Sequence, residues 1–138
     1  MSKLRNLLIL NALVVLVGFS SCITDEIDPT IEIFTDVGDT IDFDTIPAQI
    51  NTVLTLISKT TDLQDLGDVN YFQTWGDFTE VQIEYAAPIL LTNRHREVFI
   101  DLSLPDSLYA VDDVRAFRIS AEDAEGNSAE LIKYIKIE

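Results

Sequence analysis

From residue 30 onward, apolar and polar side chains alternate with a period of two, in short runs separated by turn-forming residues. Residues 30–34 place Ile31 and Ile33 on one face, and residues 40–45 set Ile41 and Phe43 against Asp42 and Asp44. Residues 52–58 are nearly all apolar or β-branched, as a central strand requires. Residues 69–75 are rich in aromatics, and residues 79–85 alternate Val81, Ile83 and Tyr85 with Glu80, Gln82 and Glu84. Residues 97–104 oppose Val98, Ile100, Leu102 and Leu104 to Asp101 and Ser103, and residues 114–122 oppose Phe117, Ile119 and Ala121 to Arg118, Ser120 and Glu122. A last strand over 128–137 carries apolar residues on both faces. Turns are predicted at Val37-Gly38-Asp39, over 62–68, at Trp75-Gly76-Asp77, at Pro105-Asp106-Ser107 and at Glu125-Gly126-Asn127. The spacing predicts an all-β fold, an antiparallel β-sandwich of about seven to eight strands over residues 30–138.

The residues before 30 break this pattern. Lys3 and Arg5 lead into an apolar stretch over 7–17, and Gly18, Ser20 and Ser21 precede Cys22, the only cysteine of the chain. Charged, apolar and small residues in that order predict a cleaved secretory signal peptide over residues 1–21. The stretch is shorter than the roughly 20 apolar residues a spanning helix needs, and Asn11 interrupts it. Residues 22–29 hold Thr24, Asp25, Glu26 and Asp28 without periodicity and read as an acidic tether. A single cysteine excludes both a disulfide framework and a cysteine-based zinc site.

Charge narrows the partners. The chain carries 24 acidic against 9 basic side chains, a formal net charge of −15, and loss of Lys3 and Arg5 with the signal peptide makes it more acidic still. Such a surface repels phosphate backbones, so no nucleic-acid partner is expected. It also repels anionic lipid headgroups, so any hold on a membrane must come from acyl chains.

Phe19-Ser20-Ser21-Cys22 resembles a bacterial lipobox, with Phe19 where leucine is commoner. The resemblance implies a lipoprotein with Cys22 as the lipid (palmitate) attachment site. Acidic residues directly after the cysteine look like the surface-export signal of Bacteroidota lipoproteins, which implies the outer membrane, with the cell surface favoured over the periplasmic face. The segment over 117–128, with Asp123, Gly126 and Asn127, resembles the final hairpin of bacterial immunoglobulin-like domains. Gly126 and Asn127 tolerate the positive φ that a tight hairpin needs. Pro29-Thr30-Ile31, Gly38-Asp39-Thr40-Ile41, Thr61-Asp62 and Leu104-Pro105 extend the likeness to small immunoglobulin-like lipoproteins of Bacteroidota, classified as a domain of unknown function. The implied fold is an immunoglobulin-like sandwich, in which Trp75 would be the third-strand core tryptophan.

Chemistry is sparse. No serine lies in a Gly-x-Ser-x-Gly turn, the one cysteine is assigned to lipid, and the one histidine, His95, sits among arginines; no enzymatic activity is expected. Arg94, His95 and Arg96 form the one dense basic cluster after the signal peptide, a cationic loop where an anionic ligand could dock. If exposed, Tyr71, Phe72 and Trp75 would offer sugar-stacking faces. Asp36, Asp39, Asp123 and Asn127 lie in predicted loops and are the candidate ligands for calcium, the one cofactor considered, although no calcium-hand loop is present. The expected function is a lipid-anchored binding or adhesion module of the cell envelope, contacting protein or glycan. The alternatives are a structural accessory subunit of an outer-membrane complex and a calcium-stabilised immunoglobulin-like domain.

Overall fold

The structure, a computed structural model, describes residues 26–36, 38, 39, 41 and 44–138. The predicted signal peptide, Cys22 and the first half of the tether lie outside these residues. Nine strands and no helix are found among them: β1 (Thr30–Thr35), β2 (Thr45–Ala48), β3 (Thr52–Thr61), β4 (Leu66–Thr74), β5 (Glu80–Ile83), β6 (Ala87–Leu91), β7 (His95–Leu104), β8 (Val114–Asp123) and β9 (Ser128–Ile137). They form a four-stranded sheet in the order β1-β3-β7-β6 and a five-stranded sheet in the order β2-β9-β8-β4-β5. Setting β1, β3, β7 and β6 opposite β9, β8 and β4 reproduces the strand order of the immunoglobulin sandwich. All pairs are antiparallel except β2 with β9, which is parallel.

The alternation read from the sequence sets the core. Val98, Ile100, Leu102 and Leu104 of β7 face Phe117, Ile119 and Ala121 of β8, and all of them are buried. Leu56 of the central strand β3, with Ile135 and Ile137 of β9, completes the packing. A buried side chain of this kind is worth about 1.5–3 kcal/mol relative to exposure, so these positions dominate the stability.

One side of the sandwich is sealed by the chain itself. After β1 the backbone turns at Gly38, with φ of +92°. Ile41 then donates its N–H to the Ile33 carbonyl at 3.0 Å before β2 joins the other sheet. Ile33, Ile41 and Ile46 are buried where the two sheets meet. The predicted strand over 40–45 falls partly outside the described residues, and the described strand begins where that prediction ended, at Thr45.

Three further differences bear on function. Strand β6 was not predicted: Ala87-Pro88-Ile89-Leu90-Leu91 lacks alternation because it is an edge strand, exposed at every residue. Strand β7 starts at His95, so only Asn93 and Arg94 remain between Thr92 and His95 at the β6–β7 turn, closed by Thr92 N–H to the His95 carbonyl at 2.8 Å. Trp75 is not a core residue. It lies just beyond β4 in the turn to β5 with 36% of its surface exposed, and the buried aromatic of β4 is Tyr71.

Candidate binding site

Opposite the sealed side, the sandwich is open. Strand β5 covers only residues 71–74 of β4, so the edge of β4 at Val69 and Asn70 has no strand beside it. The chain crosses back to the first sheet through Glu84, Tyr85 and Ala86, whose N–H reaches the Phe99 carbonyl at 2.7 Å. The uncovered stretch leaves a hollow of about 410 Å³ lined by Val69, Asn70, Tyr71, Gln82, Ile83, Glu84 and Tyr85. A second hollow of about 340 Å³, lined by Tyr85, Leu91, Thr92, Asn93 and Arg96, adjoins it, with Tyr85 as the shared wall.

The polar groups of this cleft are under-used. Tyr71 is 2% exposed, and neither its hydroxyl nor those of Ser58 and Thr60 makes a hydrogen bond of good geometry, although Ser58 lies against the Tyr71 phenol. Burial pushes the Tyr71 phenol above its ordinary pKa; the nearby Ser58 hydroxyl and Arg96 charge oppose that rise, and the Tyr85 phenol adds to it. Tyr71 and Tyr85 both line the first hollow, and Tyr85 and Arg96 line the second. Buried polar groups are nearly always bonded, and an unmet one costs about 1–3 kcal/mol. Gln82 donates to the Asn70 side-chain oxygen at 2.8 Å, which leaves the Asn70 amide N–H₂ and the Gln82 carbonyl free at the rim.

Arg96 connects the two sheets. It follows the inward register of Val98 and Ile100 on β7, and its guanidinium donates to the Val69 carbonyl of β4 at 3.3 Å. Among the described residues it has no carboxylate partner. Arg115, Arg118, Lys59, Lys133 and Lys136 all have one. In a chain with so many acids, a half-buried arginine left without a counter-charge is unusual.

The expected basic loop is thus divided by strand alternation. Arg94 is exposed at the turn, His95 lies within 3.2 Å of Glu97 on the outer face, and Arg96 turns inward. The expected aromatic pair is divided as well. Phe72 lies on the outer face of the second sheet beneath Arg118, whose guanidinium carbon is 4.0 Å from the ring centroid. Arg118 in turn pairs with Glu80 and Glu130, so one face of Phe72 is already covered. Trp75 belongs to the β4–β5 turn beside Phe78, and neither Trp75 nor Phe72 lines the cleft.

The calcium ligands are not assembled either. The β8–β9 hairpin lies against the β3–β4 loop, through Ala124 N–H to the Asp65 carbonyl. That loop is bonded to the β6–β7 turn by Leu66 N–H to the Asn93 carbonyl and Asp62 N–H to the Arg94 carbonyl. Thr61, where the loop leaves β3, pairs with Thr30 at the start of β1. Asp36 and Asp39 follow the far end of β1. Asp123 holds its own turn, accepting N–H from Glu125 at 2.9 Å and from Asn127 at 2.7 Å, and the Asn127 amide at 2.6 Å. Burial pushes the Asp123 carboxyl up, but these donors outweigh it, and its pKa lies below the ordinary value. No group of three or more His, Cys, Asp or Glu side chains suited to a metal ion occurs among the described residues.

Tyr71 was legible in the sequence, with Phe72 and Trp75, as a candidate sugar-stacking aromatic, while Tyr85 was read only as an alternating strand residue. Ser58 and Thr60 are fully buried hydroxyls at inward positions of β3 and line neither hollow. No protein-family model and no curated protein matches this chain. Its backbone is similar to part of a solved structure, a DUF4466 family protein from Parabacteroides merdae, with a TM-score of 0.41 and 7% identity over 76% of this chain and 42% of that one. This chain therefore spans less than half the length of that protein, and so loose a superposition carries no functional argument.

Proposed function

We propose that this protein is a non-catalytic binding module of the cell envelope that takes a protein or glycan ligand at the open β5–β6 side. The cleft carries the reading: two adjoining hollows share Tyr85 as a wall, and one of them is lined by an arginine without a carboxylate partner among the described residues. Ligand sites are concave, with a few convergent polar groups in a less polar wall, and this is that arrangement. Attachment through acylated Cys22 at the outer membrane, with the acidic tether holding the sandwich clear of it, is part of the same proposal and rests on the sequence. No helix among the described residues is long and apolar enough to cross a membrane. The test places a photo-crosslinking residue at Leu91, on the lining of the second hollow, or at Val53, exposed elsewhere on the same sheet. Discrete products from position 91, absent at position 53 and lost with Tyr85→Ala, support the reading; equal labelling from both positions overturns it.

A second reading has its own observation. Ile89, Leu90 and Leu91 are 44%, 46% and 49% exposed on an edge strand, where natural proteins usually place charge. An accessory subunit whose β6 edge is permanently covered by an envelope complex fits that pattern. It is distinguished by purification under mild conditions: a stable stoichiometric complex favours the subunit, a free monomer the binding module.

A further inference from the structure

We infer that the cleft takes a single acidic sugar residue, its carboxylate on Arg96 and its ring against Tyr85. This assignment rests on the binding reading above and names its ligand class.

The carboxylate end follows from Arg96. A guanidinium has five N–H donors in a planar fork, and the Val69 carbonyl uses one of them. The remaining donors match a carboxylate, and charge-assisted bonds of that kind are the strong ones.

The sugar end follows from the walls. Tyr85, 37% exposed between the two hollows, presents an aromatic face. The free amide donor of Asn70 and the free carbonyl of Gln82 stand at the rim as a pair suited to vicinal hydroxyls. The hollow of about 410 Å³ has room for a pyranose ring, and Arg96 lines the adjoining hollow of about 340 Å³ across the shared Tyr85. The overall charge limits the ligand further. With a formal net charge of −15 and Glu84 on the lining, a polyanion is repelled as a whole, while one carboxylate delivered to Arg96 is not. The site therefore suits a lone terminal acidic residue on an otherwise neutral glycan.

The test uses the full-length protein in detergent micelles and titration calorimetry with methyl glucuronide, methyl glucoside, acetate and an N-acetylated dipeptide. The glucuronide should bind at least about tenfold more tightly than the glucoside, the discrimination expected of one charge-assisted pair. Arg96→Gln should bring that ratio close to one without lowering the melting temperature. Arg96→Lys should restore part of it, and Arg94→Gln should leave it unchanged. Glucoside binding as tight as glucuronide binding, lost in Tyr85→Ala, overturns the acidic assignment and leaves the binding module standing. Acetate as tight as glucuronide overturns the sugar, and a tighter dipeptide replaces it with a peptide terminus. No binding of any probe overturns the inference, while the crosslinking outcome at Leu91 decides the broader reading separately.

Discussion

Two buried tyrosines lie at different places in this sandwich and are served very differently. Tyr109, 4% exposed in the β7–β8 connection, accepts the Gln73 amide at 2.8 Å and donates to the Thr74 carbonyl at 3.3 Å, and the same amide group of Gln73 reaches the Ser103 carbonyl at 2.8 Å. Every group in that set has a partner. Tyr71, two residues from Gln73 on the same inward face of β4, ends beside Ser58 with no hydrogen bond of good geometry and with Arg96 and Tyr85 nearby. One phenol is part of the architecture, locking the loop after β7 onto the end of β4. The other lines an open hollow without a bond of that quality. A satisfied network of the first kind ties parts of a fold together.

The largest expected effect should not separate the two sites. Tyr71→Ala and Tyr109→Ala each remove a buried aromatic side chain and should each destabilise by about 3–5 kcal/mol in chemical unfolding. A much smaller loss at Tyr71 would show that its ring is not packed as described. Removing only the hydroxyl should separate them. Tyr109→Phe leaves the Gln73 amide and the Thr74 carbonyl short of a partner and should cost about 1–3 kcal/mol.

Alkaline titration sharpens the contrast next. Burial raises both phenols, opposed at Tyr71 by Ser58 and Arg96 and at Tyr109 by Gln73 and Arg115. A phenol raised in the folded state stays neutral there while the unfolded chain ionises near pH 10. Its contribution to stability is complete below that pH and is lost as pH rises through the folded value. Melting temperature should therefore fall steeply above about pH 10, and Tyr71→Phe should make the fall shallower. An unaltered slope would mean that Tyr71 ionises as freely as in the unfolded chain. The smallest effect is Tyr71→Phe at neutral pH, expected within about 0.5 kcal/mol of the parent and on the stabilising side, since no good bond is lost. A loss as large as that of Tyr109→Phe would erase the distinction.

The residues themselves determined much of the fold. Alternation in 97–104 and 114–122 set the faces of β7 and β8, because a period of two buries one side whatever the neighbours are, and the apolar run over 128–137 set the bounds of β9. Gly126 was legible as a turn residue and has φ of +91°, since the tight β8–β9 hairpin needs a left-handed position. The same demand at the β4–β5 turn falls on Phe78, with φ of +66°, where nothing in its residue type announced it. Only the tertiary structure decided the site. Strand β6 escaped prediction because an edge strand without alternation has no local signature. The basic cluster dissolved because His95 and Arg96 belong to a strand, and neighbours along a strand point to opposite faces. The cleft depends on β5 stopping short against β4 and on Tyr71 of β4, Tyr85 after β5 and Arg96 of β7 lining two adjoining hollows. Their sequence separations carry no trace of that meeting, because it is made by the packing of one sheet on the other.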